Sequence, residues 1–412
     1  MTTIRDPLWN NIRVDALAET LIDTGAFQRL RYVRQLGHAF LVYPGATHTR
    51  FEHALGTYHL ARRTISLIDE RGELGAVPRQ ACDVLRAAAL LHDIGHYPFS
   101  HALEEIGALD HEQAALPILA AGPVSDALQA HLGATAPDEV HALMRGTSAS
   151  PLQGLISGSL DLDKIEYLKR DALMCGVPYG EVDVDRLLHA LVLVPDPETG
   201  RQVIGVAEKG LAALESLLFA KYQMYRNVYW HHAVRSATAM YKRLMDDALR
   251  AGHLHAAELV RLTDEGVLHR LEASAPAPLL LALRERRLHK RALDLPAAEL
   301  DDAWGDWIAQ DHARVVALED AMAAELGLAP GELLVDYPAK PQMLGLDIPV
   351  RTREGAVRRL TTEGWAAAIN LPALSAQLYR SARRLRVFVA REVRLSEGEW
   401  MAMIEQGGAL DS

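Results

Sequence analysis

The chain has 412 residues, more than one hydrophobic core usually organises, so a large core domain with an appended lobe is expected. Its 49% hydrophobic content excludes a disordered chain, and 6% aromatics in an Ala- and Leu-rich background favours a helical interior over a sheet sandwich; the expected fold class is mostly α. A formal net charge of −11 disfavours general nucleic-acid binding and leaves room only for a local, enclosed phosphate site.

Cys82 and Cys175 are too few for a disulfide framework, and residues 1–14 lack the basic-then-apolar pattern of a signal peptide. No run approaches the ~18 uninterrupted apolar residues of a membrane span. A cytoplasmic protein without a membrane partner is the expectation.

From about residue 24 to 250 the pattern is repeatedly helical, punctuated at Pro44-Gly45, Gly72, Gly95 to Pro98, Gly122-Pro123, Gly176 to Pro178 and Pro195 to Gly200. Residues 190–206 differ, with two β-branched runs around an Asp-Pro-Glu-Thr-Gly turn, and read as a small hairpin standing off the surface. Leu211, Leu214, Leu218, Tyr222, Tyr225 and Tyr229 recur at three- and four-residue steps and predict one long core helix to about Leu249. Beyond residue 330 the segments GELLVDYP, QMLGLDIPV and RLRVFVAREV read as strands around a helical stretch near residues 363–384. The expected organisation is therefore a helical domain over residues 1–330 and a C-terminal α/β lobe over residues 331–412, a candidate oligomer or regulatory region.

No phosphate-loop, dinucleotide, serine-hydrolase, zincin or thiol-pair motif occurs, so the chemistry must come from another constellation. Among 18 histidines, His48, His53, His92, His96, His101 and His111 crowd into residues 48–111 beside Asp93. His92 and Asp93 close an apolar helix, DVLRAAALL, and an adjacent imidazole and carboxylate can both ligate one cation or simply form a polar helix end. The charged stretch from Asp161 to Asp171 adds further carboxylates at helical spacing.

The ordered series His53, His92-Asp93 and Asp163 resembles the HD superfamily of metal-dependent phosphohydrolases. Within it, Phe27 to Gly37, Tyr43 to Gly56, His92 to His96 with Pro98 to His101, His111 to Gln113 and Asp161 to Asp171 resemble the deoxynucleoside triphosphate (dNTP) triphosphohydrolases, in family order. The resemblance implies an HD helical bundle carrying one divalent metal on His53, His92, Asp93 and Asp163. Mn²⁺ is the first expectation, with Fe²⁺, Co²⁺, Zn²⁺ or Mg²⁺ as alternatives, because imidazole with carboxylate suits transition ions better than an all-oxygen site. It implies hydrolysis of a dNTP at the α-phosphorus to a deoxynucleoside and inorganic triphosphate, with water as the nucleophile. His96 and His101 correspond to histidines near the α-phosphate, with His101 the first choice for proton donor; His111 and Glu112 stand behind as a supporting or proton-relay pair.

By the same resemblance Arg50, Lys164 and Lys221 contact phosphates, Tyr167 and Asp171 touch phosphate and the 3′-hydroxyl, Gln35 and Leu36 border the deoxyribose, and Tyr229 packs against C2′. Many relatives carry arginine where this chain has Lys221, which leaves a solvent-facing lysine as the alternative there; a plain core stripe is the alternative for Tyr229. The arginines at 351, 353, 358, 359, 380, 383, 384, 386, 391 and 394 bias the C-terminal lobe toward positive charge. In similar proteins such residues hold regulatory nucleotides at subunit interfaces, so a homo-oligomer with a second nucleotide site is an expectation. The competing readings are another HD nucleotide phosphohydrolase, such as a nucleotidase or guanosine tetraphosphate hydrolase, and a non-catalytic nucleotide or nucleic-acid sensor.

Overall fold

The computed structural model describes residues 2–75, 77–274, 277–301, 304–338, 347–360 and 370–408. The chain is mostly helical with small sheets, as its composition implies. It opens with an antiparallel hairpin, β1 (Thr2–Asp6) and β2 (Asn10–Val14), which sequence analysis did not anticipate because five-residue strands carry little periodic signal. Asp6 Oδ1 accepts the N–H groups of Leu8 and Trp9, each at 2.8 Å, and so builds the turn that projects Trp9.

Three helices frame the His and Asp residues. The first, α1 (Arg50–Glu70), starts from a capping box in which Glu52 accepts the Thr49 N–H at 3.0 Å, a device worth about 1 kcal/mol. Phe51, Ala54, Leu55, Tyr58 and Ala61 from this helix lie in the main core. The second, α2 (Arg79–Leu91), buries Val84, Leu85, Ala87, Ala88 and Leu90 and stops at His92. Just beyond it a Cβ on Gly95 would stand 2.1 Å from the His111 carbonyl oxygen, so only glycine admits this approach of the following loop. The third, α3 (Leu162–Cys175), is capped by Asp161, whose carboxylate accepts the Lys164 N–H at 2.9 Å, and ends at Gly176 with φ +68°.

The single long helix expected from residue 211 to about 249 is instead two. The first is α4 (Leu211–Met224); a π-turn over Tyr225–Tyr229 then leads through Trp230 into α5 (His232–Arg250). The apolar period runs on through the turn, which is why sequence spacing missed the break. A π-turn admits one extra residue and re-aims the side chains on it, here Tyr225 and Tyr229.

The hairpin expected near residues 190–206 forms as β3 (Leu191–Pro195) and β4 (Gln202–Ala207), paired from Leu191 opposite Val206 to Pro195 opposite Gln202. It is not a surface excursion. Four of the five β3 residues are buried, and β4 pairs in parallel with β7 (Pro349–Arg351), itself next to β8 (Val357–Arg359), in the order β3-β4-β7-β8. A second sheet has the order β5-β9-β6, from β5 (Lys290–Pro296), β6 (Leu333–Asp336) and β9 (Arg384–Val389). This sheet draws strands from both sides of residue 330, and its apolar core runs from Leu293 to Ile404. Within QMLGLDIPV only the last part is described, as the start of β7; of residues 363–384, residues 370–384 are described and form a helix over Leu371–Ala382.

A further apolar cluster, including Phe99, Met240, Tyr241, Leu334 and Phe388, joins the segment after Asp93 to α5 and to the second sheet. The loop after the His-Asp pair is thus packed against the second half of the chain. Much of the arginine charge in the C-terminal region is met locally: Arg351 pairs with Glu73, Arg359 with Asp196 and Asp347, Arg383 with Asp306, and both Arg384 and Arg386 with Asp294. No helix among the described residues is long and apolar enough to cross a membrane.

Candidate metal centre and phosphate site

His53 projects from the first turn of α1, His92 and Asp93 from the end of α2, and Asp163 from the first turn of α3. His53 Nε2 lies 3.1 Å from His92 Nε2, 2.9 Å from Asp163 Oδ1 and 3.6 Å from Asp93 Oδ2. His92 Nε2 lies 3.5 Å from both Asp93 Oδ1 and Asp163 Oδ1. All four expected ligands therefore converge on one point.

The far side of each ring explains what they converge for. His53 Nδ1 donates to Glu166 Oε2 at 2.6 Å, and His92 Nδ1 donates to the Ala89 carbonyl at 3.0 Å. These acceptors favour an N–H on Nδ1, which leaves each Nε2 facing inward, where it can hold either a proton or a metal ion. Two inward-facing Nε2 atoms 3.1 Å apart beside two carboxylates form an electron-rich point that favours a cation. The pull is visible on protons: burial opposes charge on His53, yet hydrogen bonds to Asp163 and Glu166 raise it to about 10. Two imidazole nitrogens and two carboxylate oxygens make a donor set that fits a divalent metal.

Glu166 was not singled out from the sequence. Its Oε1 accepts from Trp9 Nε1 at 2.9 Å and from Arg170 Nε at 2.7 Å, and Arg170 reaches Asp6 at 3.1 Å. The N-terminal hairpin thus braces the carboxylate that orients His53. A Cβ on Gly56 would lie 2.0 Å from Glu166 Oε1, so glycine one turn after His53 is what lets Glu166 in. Burial opposes ionisation of Glu166, but Arg170 and His53 hold it at about 2. The spacing of Asp163, Glu166 and Arg170 along one helix face was the available signal.

A second group lies beside the first. His101 Nδ1 and His111 Nδ1 each contact Glu104, at 2.9 Å, one on each carboxylate oxygen, and His111 Nε2 lies 3.5 Å from Glu112. His96 is fully buried, its ring centroid 3.7 Å from that of His111 and 4.8 Å from that of His101, and neither of its nitrogens has a hydrogen-bond partner. Burial, then Arg50 and the neighbouring histidines, holds His96 well below its ordinary value, so it stays neutral. Partial desolvation opposes charge on His101, whose side chain is 56% exposed, but Glu104 raises it, which suits a group that delivers a proton. Glu104 is the residue missed here; its place three residues after His101 was the only hint.

Arg50 joins the two groups. It is buried, donates to Asp93 at 2.8 Å and to Ser100 Oγ at 3.0 Å, and its Nη2 stands 3.3 Å from His101 Nε2. A fixed guanidinium at that distance opposes a second cation among His96, His101, Glu104 and His111, and favours an anion beside them.

Lys164 contacts Asp161 and donates to the Gly158 carbonyl at 3.1 Å. Lys221 is 3% exposed, so the solvent-facing alternative is set aside; its ammonium lies 5.5 Å from the Tyr225 ring. Burial first, and Lys164 second, push Lys221 down to about 7. Asp171 accepts from Tyr229 Oη at 2.7 Å and contacts His48 Nε2 at 2.8 Å, and the Tyr167 ring centroid lies 6.3 Å from that of Tyr229 and 6.5 Å from that of His53. Tyr229 is therefore more than a core stripe: its hydroxyl reaches a buried carboxylate across α3. Gln35 is buried with Oε1 unpartnered, and Leu36 packs with Ala39, Ala46 and Val234. Histidine 48 belongs with the histidine-rich segment, but sequence analysis gave it no role.

Residues 50–144 match the HD domain, and residues 182–395 match the HD associated region. An uncharacterized protein of Methanocaldococcus jannaschii is 32% identical over 361 residues, covering 87% of this chain and 74% of that protein. The deoxynucleoside triphosphate triphosphohydrolase SAMHD1 of Danio rerio is 27% identical over 267 residues, covering 56% of this chain and 42% of the fish protein. A solved phosphohydrolase from Bacteroides thetaiotaomicron shares the fold with a TM-score of 0.74 at 21% identity, covering 95% of this chain and 100% of that one.

Proposed function

The chain belongs to the HD-domain proteins that carry the HD associated region, and we propose that it is a metal-dependent phosphohydrolase acting on dNTPs. The reaction is cleavage at the α-phosphorus, giving a deoxynucleoside and intact inorganic triphosphate. The observation that carries the reading is the convergence of two inward-facing imidazole nitrogens and two carboxylates, His53, His92, Asp93 and Asp163, beside a buried arginine and a carboxylate-bridged histidine pair.

His53, His92, Asp93 and Asp163 hold the ion, with Mn²⁺ the first candidate and Fe²⁺, Co²⁺, Zn²⁺ or Mg²⁺ as alternatives. Once bound, the ion supplies Lewis-acid charge at the phosphoryl oxygen and lowers the pKa of water there. The protein's own groups do the rest. Arg50, Lys164 and Lys221 offset the roughly four negative charges of a triphosphate; Arg50 contributes two donors at fixed geometry and the lysines contribute point charges. His101, held with Nδ1 on Glu104, delivers a proton to the departing 5′-oxygen, and His111 with Glu112 restores it. His96, buried with Nδ1 3.3 Å from Asp93 Oδ1, donates to an α-phosphate oxygen. Asp171 accepts the 3′-hydroxyl, and Tyr229, fixed on Asp171, closes the space beside C2′ together with Gln35, Leu36 and Tyr167. We place the enzyme in the cytoplasm, as an oligomer with a second nucleotide site in its arginine-rich C-terminal region.

The test is to reconstitute the purified protein with metal, incubate it with each dNTP alone and in mixtures, and resolve products by anion exchange with Asp163→Ala as control. Triphosphate plus deoxynucleoside, absent in the control, is the expected result. Pyrophosphate with monophosphate, or tight binding without turnover, overturns the dNTP triphosphohydrolase reading in favour of another HD hydrolase or a sensor.

A further inference from the structure

The loop that follows the His-Asp pair adopts a costly backbone. Phe99 and Ser100 are consecutive non-glycine residues in the left-handed region, with φ +57° and +63°. L-residues avoid that region because Cβ crowds the following carbonyl, and two in succession persist only where the surroundings hold them. The Phe99 carbonyl oxygen also lies so close to Gly37 that a Cβ there would stand 2.9 Å from it.

What holds the turn comes from far along the chain. Asp264, 2% exposed at the start of α6 (Asp264–Ser274), accepts the Phe99 N–H on Oδ1 at 2.7 Å. Its Oδ2 accepts the Arg34 N–H at 3.0 Å and lies 3.3 Å from Arg34 Nη1. Two residues earlier, the Leu262 carbonyl accepts from Arg29, whose other Nη spans the Ile94 and His96 carbonyls at 3.0 and 2.9 Å. The segment 262–264 therefore grips the loop at both ends.

From the turn the connection runs directly into the site. Ser100 Oγ donates to the Arg34 carbonyl at 2.7 Å and accepts from Arg50 Nε at 3.0 Å. Arg50 in turn holds Asp93 and faces His101, the residue after Ser100. Asp264 touches none of the expected metal ligands, and it belongs to the HD associated region while the loop belongs to the HD domain.

We propose that Asp264 is a positioning residue for the hydrolysis: it locks the left-handed Phe99–Ser100 turn and thereby aims Arg50 and His101 at the metal centre. This rests on the functional reading above for the roles of Arg50 and His101, but the geometric claim stands apart from it. A carboxylate is required because both donors are backbone N–H groups of different segments, and each needs its own acceptor oxygen. Asn fits the same space and keeps one acceptor, but offers an amide N–H₂ to the second donor. The N-terminus of α6 is not lost with it, because Thr263 Oγ1 accepts the Gly266 N–H at 3.1 Å.

The experiment compares wild type with Asp264→Asn and Asp264→Glu, each loaded with metal, by dNTP turnover, by metal content and by amide hydrogen exchange of residues 99–102. For Asp264→Asn the expected result is kcat lower by about 10²-fold, the size of a 1 Å misplacement, with KM within about threefold and metal content unchanged. Exchange at residues 99–102 accelerates at least about tenfold, and Asp264→Glu restores part of both. Unchanged exchange in Asp264→Asn overturns the proposal, as does a kcat within about twofold of wild type. If wild type hydrolyses no dNTP, the functional reading fails and the exchange data alone decide the positioning claim. Should Asp264→Asn not accumulate folded, Asp264→Glu is compared with wild type alone: a lower kcat together with faster exchange at residues 99–102 supports the proposal, and wild-type values of both overturn it.

Discussion

Lys221 offers a direct test of whether the phosphate site is built at the expense of stability. The residue is 3% exposed and its pKa falls from 10.5 to about 7, through burial first and Lys164 second. The sign follows from linkage: a cationic group with a depressed folded-state pKa destabilises the fold below its unfolded pKa, and the penalty is complete below about 7. At pH 7 a shift of this size corresponds to roughly 4 kcal/mol, and relaxation around the ammonium brings a working figure of about 2–4 kcal/mol. Lys221→Met keeps the unbranched stem and removes the charge. The metal-free variant should therefore exceed wild type by about 2–4 kcal/mol in urea unfolding at pH 7. The advantage should fall to about 1 kcal/mol at pH 9.5, where the wild-type lysine is neutral in the fold and closer to neutral when unfolded. Binding of inorganic tripolyphosphate should weaken by about tenfold or more over the same comparison. A variant less stable than wild type at pH 7, or an advantage that does not shrink with pH, refutes the reasoning.

Glu166→Gln removes the charge that orients His53, and metal affinity should fall by about 10–100-fold in competition with a chelator; equal affinity would remove Glu166 from the site. Glu104→Ala frees the Nδ1 atoms of His101 and His111 and should lower kcat by about 10²–10⁴-fold with bound metal unchanged, so loss of metal in parallel would show a structural role instead. Removing the metal should lower Tm, because the ion binds the folded site and not the chain: at 100-fold excess over Kd the loss is about 2.7 kcal/mol, seen in thermal melts with and without chelator.

What the sequence disclosed and what it hid follow physical lines. The assignment of His53, His92, Asp93 and Asp163 as ligands came from the family resemblance; locally the sequence offered only histidines crowded beside a carboxylate, His92 and Asp93 at the close of an apolar helix, and Asp163 in a charged stretch at helical spacing. Glu166 and Asp264 were hidden because their partners lie far away in sequence, and Glu104, although close to His101 and His111, because an acidic residue on a helical turn reads locally as a solvated face. The break at Tyr225 was invisible for another reason. A π-turn preserves the apolar period on either side while adding one residue, so the spacing from Leu211 to Tyr229 looked like one helix. The buried hairpin over residues 191–207 was recognisable as strands, but its cover, β7, lies more than a hundred residues later, and nothing local told inside from outside.

The reach of the N-terminal hairpin into the metal centre has a consequence for biosynthesis. Trp9 and its acceptor Glu166 are 157 residues apart, and His53 and Glu166 are 113 apart. At translation rates of about 5–20 residues per second, Trp9 waits roughly 10–30 s for the helix it anchors. His53 and His92 emerge before Asp163 exists to share a cation with them, and before Glu166 exists to set the tautomer of His53. Through that interval the two imidazoles have neither Asp163 nor Glu166 beside them, and only completion of α3 imposes the carboxylate-rich geometry. The carboxylate-rich surroundings of His53 and His92 are therefore complete only once α3 has docked.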